Sequence, residues 1–234
     1  MTEPMKRILL FDIDGTLLHP AGIDRTCFRR ALEDIYGIAP PIDGDDLGGK
    51  TIWQLLTDLL HAAGLEDEEI DANREAAFAA YSRHVEVAAP AFNMHLLPGV
   101  GPLLDYLRDS PDFILGLVTG NVREAVPHKL RKVGIDPGIF TFGAFGSEHP
   151  DRNTLPALAL YRLSQILGSQ PEPETVLIIG DTPLDIACAR HTGVKVLAVA
   201  TGHFDRSTLA SHEPDYLLDD LSAFNQVTAI LKDY

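Results

Sequence analysis

Four short apolar runs, at residues 8–11, 113–118, 176–179 and 194–199, punctuate this chain, and none of them alternates polar with apolar residues. A strand with one wet face alternates, whereas a near-continuous run is buried on both faces. That is the condition of a parallel sheet with helices packed above and below it. The stretches between the runs agree. Val100, Leu103, Leu104 and Leu107 recur at helical spacing, as do Leu155, Leu158, Ala159 and Ile166, and Gly193 stands where the helix after Asp185 should stop. A weaker strand is expected through 139–145 and an edge strand at 215–218. The 234 residues, 45% of them hydrophobic, supply enough core for one large domain or a domain with an insert. The predicted class is α/β, with a Rossmann-like parallel sheet at its centre.

One stretch breaks the alternation. From about residue 17 to 93 helix follows helix, with stripes at Phe28, Ala31, Leu32, Ile35 and Tyr36, at Ile52, Leu55, Leu56, Leu59 and Leu60, and at Ile70, Arg74, Ala77, Phe78 and Tyr81. A connection that long builds a unit of its own. The expected division is an α/β core of 1–16 and 94–234 and an inserted helical unit of 17–93, either a structural decoration or a lid over the cleft.

Charge and cysteines narrow the function classes. Nineteen Lys+Arg stand against 34 Asp+Glu, a formal net charge of −15, which opposes a general affinity for nucleic acid. A small anionic substrate remains compatible, because a metal and a few local cations reverse the field inside a cleft. Cys27 and Cys188 show no ligand spacing and fit a reducing compartment. The apolar run after Lys6 and Arg7 is cut by Asp12 and Asp14, far short of an export segment or membrane span, so a cytoplasmic location and no membrane partner are expected. The sequence leaves the oligomeric state open.

In open parallel sheets ligands bind beyond the carboxyl ends of the strands. The first run ends in Asp12-Ile13-Asp14-Gly15-Thr16, the second in Val118-Thr119-Gly120-Asn121, and the third in Gly180-Asp181-Thr182-Pro183-Leu184-Asp185. A single Asp at such a place is an ordinary turn or N-cap residue. Here Asp12, Asp14, Asp181 and Asp185 would converge, and carboxylates at close range repel unless protonated or bridged by a cation. Oxygen-only ligands favour a hard ion, and Mg²⁺ is the usual choice beside a phosphate.

Taken together, these three motifs resemble the haloacid dehalogenase superfamily of phosphohydrolases, in order, spacing and strand context, over essentially the whole chain. The insert resembles the helical cap of its phosphoglycolate phosphatase-like branch. The resemblance implies a nucleophile at Asp12 that becomes an aspartyl-phosphate and a general acid/base at Asp14. It also implies phosphate binding by Thr119 and the amides of Gly120 and Asn121, at what is expected to be a helix N-terminus. The Mg²⁺ would lie on Asp181, the Asp12 carboxylate and the Asp14 backbone carbonyl, with Asp185 acting directly or through water. Most relatives carry Lys-Pro where this chain reads Asp151-Arg152-Asn153-Thr154-Leu155-Pro156. Arg152 is the expected substitute cation, although it also reads as a surface arginine near a helix start. Lys129, Arg131 and Lys132 are expected on an outward helix face, and Lys195 comes too late in the chain.

Residues 44–51, Gly44-Asp45-Asp46-Leu47-Gly48-Gly49-Lys50-Thr51, satisfy the P-loop pattern but follow Pro40-Pro41 rather than a strand and hold two Asp. Lys50 is better placed as a cap residue reaching the substrate, with a solvated lysine as the equal alternative. His203 is expected in a loop at the cleft rim. The expected activity is Mg²⁺-dependent hydrolysis of a small phosphorylated metabolite, phosphoglycolate or a similar organic acid on resemblance. The alternatives are a same-fold phosphomutase, phosphonate hydrolase or dehalogenase, and a phospho-receiver signalling module.

Overall fold

A computed structural model of the chain describes residues 6–42 and 48–234. The chain opens with β1 (Arg7–Phe11), makes the short β2 (Leu18–His19), and enters three helices: α1 (Ile23–Tyr36), α2 (Ile52–Ala62) and α3 (Asp67–Ala88). It returns through β3 (His95–Leu96) to α4 (Val100–Arg108), β4 (Phe113–Thr119), α5 (Val126–Lys132) and β5 (Phe142–Phe145). Then come α6 (Leu155–Leu167), β6 (Val176–Gly180), α7 (Pro183–Thr192), β7 (Lys195–Val199), α8 (Arg206–Ser211), β8 (Tyr216–Leu218) and α9 (Phe224–Asp233). The sheet order is β5-β4-β1-β6-β7-β8, parallel throughout, with β1 between β4 and β6.

Alternate residues of the strands serve opposite faces, as the apolar runs require. Leu9 and Phe11 pack with Leu103, Leu130 and Val227 on one face; Ile8 and Leu10 pack with Leu155, Ile186 and Leu209 on the other. The strand expected over 139–145 starts only at Phe142, because Pro137–Ile139 winds a 3₁₀ turn capped by Asp136, whose carboxylate accepts from the Gly138 amide at 2.9 Å. Ile166, expected in the buried stripe of α6, is 62% exposed; that helix buries Leu155, Ala159, Leu160 and Leu163 instead.

The helices α1–α3 bury a separate cluster that includes Phe28, Leu56 and Tyr81 and takes in Val122 and Ala125 from the sheet-bearing part. The two passages between the parts, β2 and β3, pair antiparallel, with the His19 and His95 rings stacked at 5.1 Å. Two residues apiece are too few for an alternating pattern to register, and this ribbon has no counterpart in the sequence reading. The N-terminus of α2 seats on the strand ends: Ile52 donates to the Gly120 carbonyl at 2.8 Å and the Thr51 hydroxyl to the Pro150 carbonyl at 2.7 Å. No helix among the described residues is long and apolar enough to cross a membrane.

Candidate active site

The chain leaves β1 through a tight turn in which Leu17 and Leu18 both donate to the Ile13 carbonyl, and Gly15 takes φ +86°. A Cβ on Gly15 or on Gly202 would strike the Asp181 carboxylate, so these glycines make room for it. The Thr16 hydroxyl donates to Asp181 Oδ1 at 2.8 Å. Asp12, Asp181 and Asp185, all buried, offer carboxylate oxygens within 4.8 Å of one another.

Arg152 lies beside Asp12, as the motif order predicts. It sits in a 3₁₀ turn capped by Asp151, is 4% exposed, and places Nη2 3.3 Å from Asp12 Oδ1 and 2.5 Å from Asp185 Oδ1. Its Nη1 donates to the Gly49 carbonyl at 2.8 Å. Asp185 is held from both sides: Oδ1 accepts from Arg152, and Oδ2 accepts from the Thr182 amide and hydroxyl, closing a capping box at the start of α7. Burial pushes the Asp12 carboxyl up to about 7 against the pull of Arg152, with Asp185 and Asp14 adding to the rise. Burial and then the neighbouring Asp12 and Asp185 charges hold Asp181 well above the usual carboxylate range. Buried, oxygen-only and mutually repelling, the donor set fits a hard divalent cation.

Asp14 turns the other way. Its Oδ2 accepts from Asn121 Nδ2 at 2.7 Å and from Lys129 Nζ at 2.5 Å, while Oδ1 is buried without a hydrogen-bond partner. Asn121 also donates to the Thr119 hydroxyl at 2.8 Å. The outward face expected for Lys129 is wrong. The residue is completely buried and contacts Asp14, Asp24 and Asn121. The signal was present: Val126, Lys129 and Leu130, at i, i+3 and i+4, form the buried face of α5.

The helix expected directly after Thr119 starts only at Val126, so Gly120 and Asn121 sit in a turn and offer loop amides rather than a helix N-terminus. At Gly120 a Cβ would collide with the Lys50 carbonyl oxygen, so glycine lets the 49–50 segment close onto β4. Residues 44–47 of the P-loop pattern lie outside the described residues. Gly48 to Thr51 follow no strand and pack on Arg152 and Gly120 instead. Lys50 lines the cavity and pairs with Asp58 at 2.9 Å. The cavity, of about 440 Å³, is lined by Asp12, Asp14 and Thr119 at the strand ends, by Arg25 of α1 and Leu55 of α2, by Lys50 just before α2, and by His203.

The sequence is 29% identical over 227 residues to a phosphoglycolate phosphatase of Synechococcus elongatus, covering 96% of this chain and 98% of the relative. It is 28% identical over 197 residues to the tyrosine-protein kinase PtkA of Mycobacterium tuberculosis, covering 84% of this chain and 63% of that protein. Among solved structures, CbbY from Rhodobacter sphaeroides, crystallised with phosphate, superposes with a TM-score of 0.71 at 18% identity, covering 93% of this chain and 96% of that one. The profile of the haloacid dehalogenase-like hydrolases matches residues 9–190, and the chain belongs to that family.

Proposed function

We propose that this hydrolase is a phosphatase that hydrolyses a small phosphomonoester in two steps through an aspartyl-phosphate on Asp12. The observation that carries the reading is the pair of carboxylates at the end of β1, both on the cavity: Asp12 held beside Arg152, and Asp14 oriented by Asn121 and Lys129. An Asp12 oxygen attacks phosphorus, and the bond to the leaving oxygen breaks as the Asp14 carboxyl hands it a proton. Asp14 then takes a proton from water, whose oxygen bonds to phosphorus as the bond to Asp12 breaks, releasing inorganic phosphate and freeing Asp12. The Thr119 hydroxyl and the Gly120 and Asn121 amides hold phosphoryl oxygens, and Arg152 balances charge between Asp12 and the phosphoryl group.

The Asp12 and Asp181 carboxylates, with the Asp14 backbone carbonyl, would hold Mg²⁺, which would neutralise charge on nucleophile and phosphate together. Asp185 fixes Arg152 through Oδ1 and would also contribute to the metal's shell, directly or through water. The buried free thiols of Cys27 and Cys188 are consistent with a cytoplasmic setting.

The leading substrate class is a small phosphorylated organic acid, phosphoglycolate or similar. Two features support it: the name of the cyanobacterial relative, and Arg25 and Lys50 on the wall of the cavity, where a leaving group's carboxylate would lie. In this role α1–α3, within 17–93, are a cap over a core of 1–16 and 94–234. A phosphonate hydrolase needs a neutral amine. Lys129 stays charged, because Asp14 and Asp24 outweigh the burial that would lower it, and Lys50 is ion-paired. Phosphate release from p-nitrophenyl phosphate and from a panel of phosphorylated organic acids, with Mg²⁺ and with chelator, tests the reading. Turnover should need the metal, and full activity in excess chelator would overturn it.

A further inference from the structure

We infer that Lys129 is a positioning residue for Asp14, and that α1 completes its setting through Asp24; this rests on the reading of Asp14 as the acid/base group. The Lys129 ammonium has three protons, and the structure uses all of them. Nζ lies 2.5 Å from Asp14 Oδ2, 2.8 Å and 3.0 Å from the two oxygens of Asp24, and 2.9 Å from Asn121 Oδ1. No donor is left for a phosphate, so this cation is not a substrate ligand.

Its effect falls on the carboxylate of Asp14. Asn121 accepts from Lys129 through Oδ1 and donates to Asp14 through Nδ2, so two donors that are themselves bonded together pin Asp14 Oδ2. Oδ1 has no hydrogen-bond partner, so the partners of Oδ2 alone set how the carboxylate lies. A carboxylate held by one oxygen in this way has a fixed plane, and general acid catalysis depends on that orientation.

Asp24 brings the helical part into the arrangement. It lies in the first turn of α1 and also accepts from the Tyr81 hydroxyl of α3 at 2.5 Å. Lys129 therefore bridges one carboxylate from each side of the cleft, Asp14 at the end of β1 and Asp24 on α1. With Asp24 uncharged, Lys129 would face Asp14 as its only carboxylate, and the ammonium would draw closer to it. The orientation of the acid/base group is tied to the seating of α1 and α3 over the site.

A purely structural ion pair would leave proton transfer alone, and that separates the two roles. Asp24→Asn and Tyr81→Phe are assayed in the full chain with Mg²⁺ on aryl phosphates of graded leaving-group pKa, with thermal melts alongside. Phenyl phosphate needs a proton on its leaving oxygen and 2,4-dinitrophenyl phosphate does not. The expected result for Asp24→Asn is a loss in kcat on phenyl phosphate of roughly ten- to a hundredfold, part of what a general acid contributes. The loss on the dinitrophenyl ester should be several-fold smaller and KM little changed, and Tyr81→Phe should move both substrates in the same sense by less. If Asp24→Asn does not fold, Tyr81→Phe, which removes one hydroxyl, carries the same comparison. Equal losses on both esters in active, folded variants overturn the positioning role alone. A wild-type protein that releases phosphate from none of the esters overturns the phosphatase reading and this inference with it.

Discussion

Arg152 stands 3.3 Å from Asp12 and gives its shorter contact, 2.5 Å, to Asp185. One guanidinium thus links the carboxylate at the end of β1 to the one that caps α7, and both partners are buried. Arg152→Ala should lower kcat/KM by about 3 kcal/mol, the scale of losing one preorganised electrostatic contact. It should also destabilise the fold by roughly 3–5 kcal/mol, because Asp185 would remain buried and lose its cation. Arg152→Lys restores the charge without the fork and should recover part of both losses. Steady-state kinetics with thermal melts check the pair; a variant with normal kcat/KM would move the role elsewhere.

Asp12 and Asp14 should separate by leaving group. Asp12→Asn should abolish turnover on every ester and leave no phosphoenzyme to trap. Asp14→Asn should slow alkyl and phenyl esters by about a hundredfold or more and dinitrophenyl phosphate far less, since a good leaving group departs without a proton. Rapid acid quench with labelled substrate, followed by phosphoenzyme counting, distinguishes them. An equal dependence on leaving-group pKa in both variants would refute the division of labour.

Much of this arrangement was legible because it is written in local pattern. Strands buried on both faces leave unbroken apolar runs, so β1, β4, β6 and β7 could be placed within a residue or two, and their order in the chain puts Asp12, Thr119 and Asp181 at one edge. Arg152 could be placed because its motif falls between a strand and a helix. What could not be read depends on pairing across the fold. Lys129 sits on an apolar stripe, where a lysine can equally lead its ammonium out to solvent. Asp24, 105 positions away, and Asp14, 115 away, hold it inside together with Asn121. The commitment of Asp185 to Arg152 and Thr182 was hidden for the same reason. The motif marks an acid, and the structure gives it donors.

Glu148 ties three elements together outside the site. It accepts from Arg162 on α6 at 2.8 Å, from Arg123 in the loop after β4, and from the Phe145 amide at 2.9 Å. Burial alone would raise its pKa, but the hydrogen bonds from Arg162 and Arg123 win and hold it below its ordinary value. A depressed carboxyl stabilises the fold above its unfolded pKa and loses that contribution as pH falls through the folded one, because the unfolded chain takes the proton first. Glu148→Gln should therefore melt lower than wild type at pH 7, by about 1–2 kcal/mol for lost charge-assisted bonds. The gap should close as pH drops below the ordinary glutamate range. Paired melts from pH 7 to pH 3 check the sign, and a gap that widens on acidification would contradict it.

The carboxylate cluster makes the sharpest claim about the metal, because one substitution should move two quantities in opposite directions. Asp181 is held well above the usual range by burial and by Asp12 and Asp185, so its ionised form opposes folding whenever no cation is bound. Asp181→Asn removes that charge and keeps an oxygen for the Thr16 hydroxyl, which donates to Oδ1 at 2.8 Å. In chelator the variant should melt at or above wild type, as residues placed for chemistry rather than stability often do when replaced. Adding Mg²⁺ should stabilise wild type by about 2.7 kcal/mol at a hundredfold excess over its dissociation constant. The same addition should leave Asp181→Asn nearly unmoved, with turnover lost. Calorimetric melts of both proteins with and without Mg²⁺ read the whole prediction, and an equal shift in the two would put the ion somewhere other than this cluster.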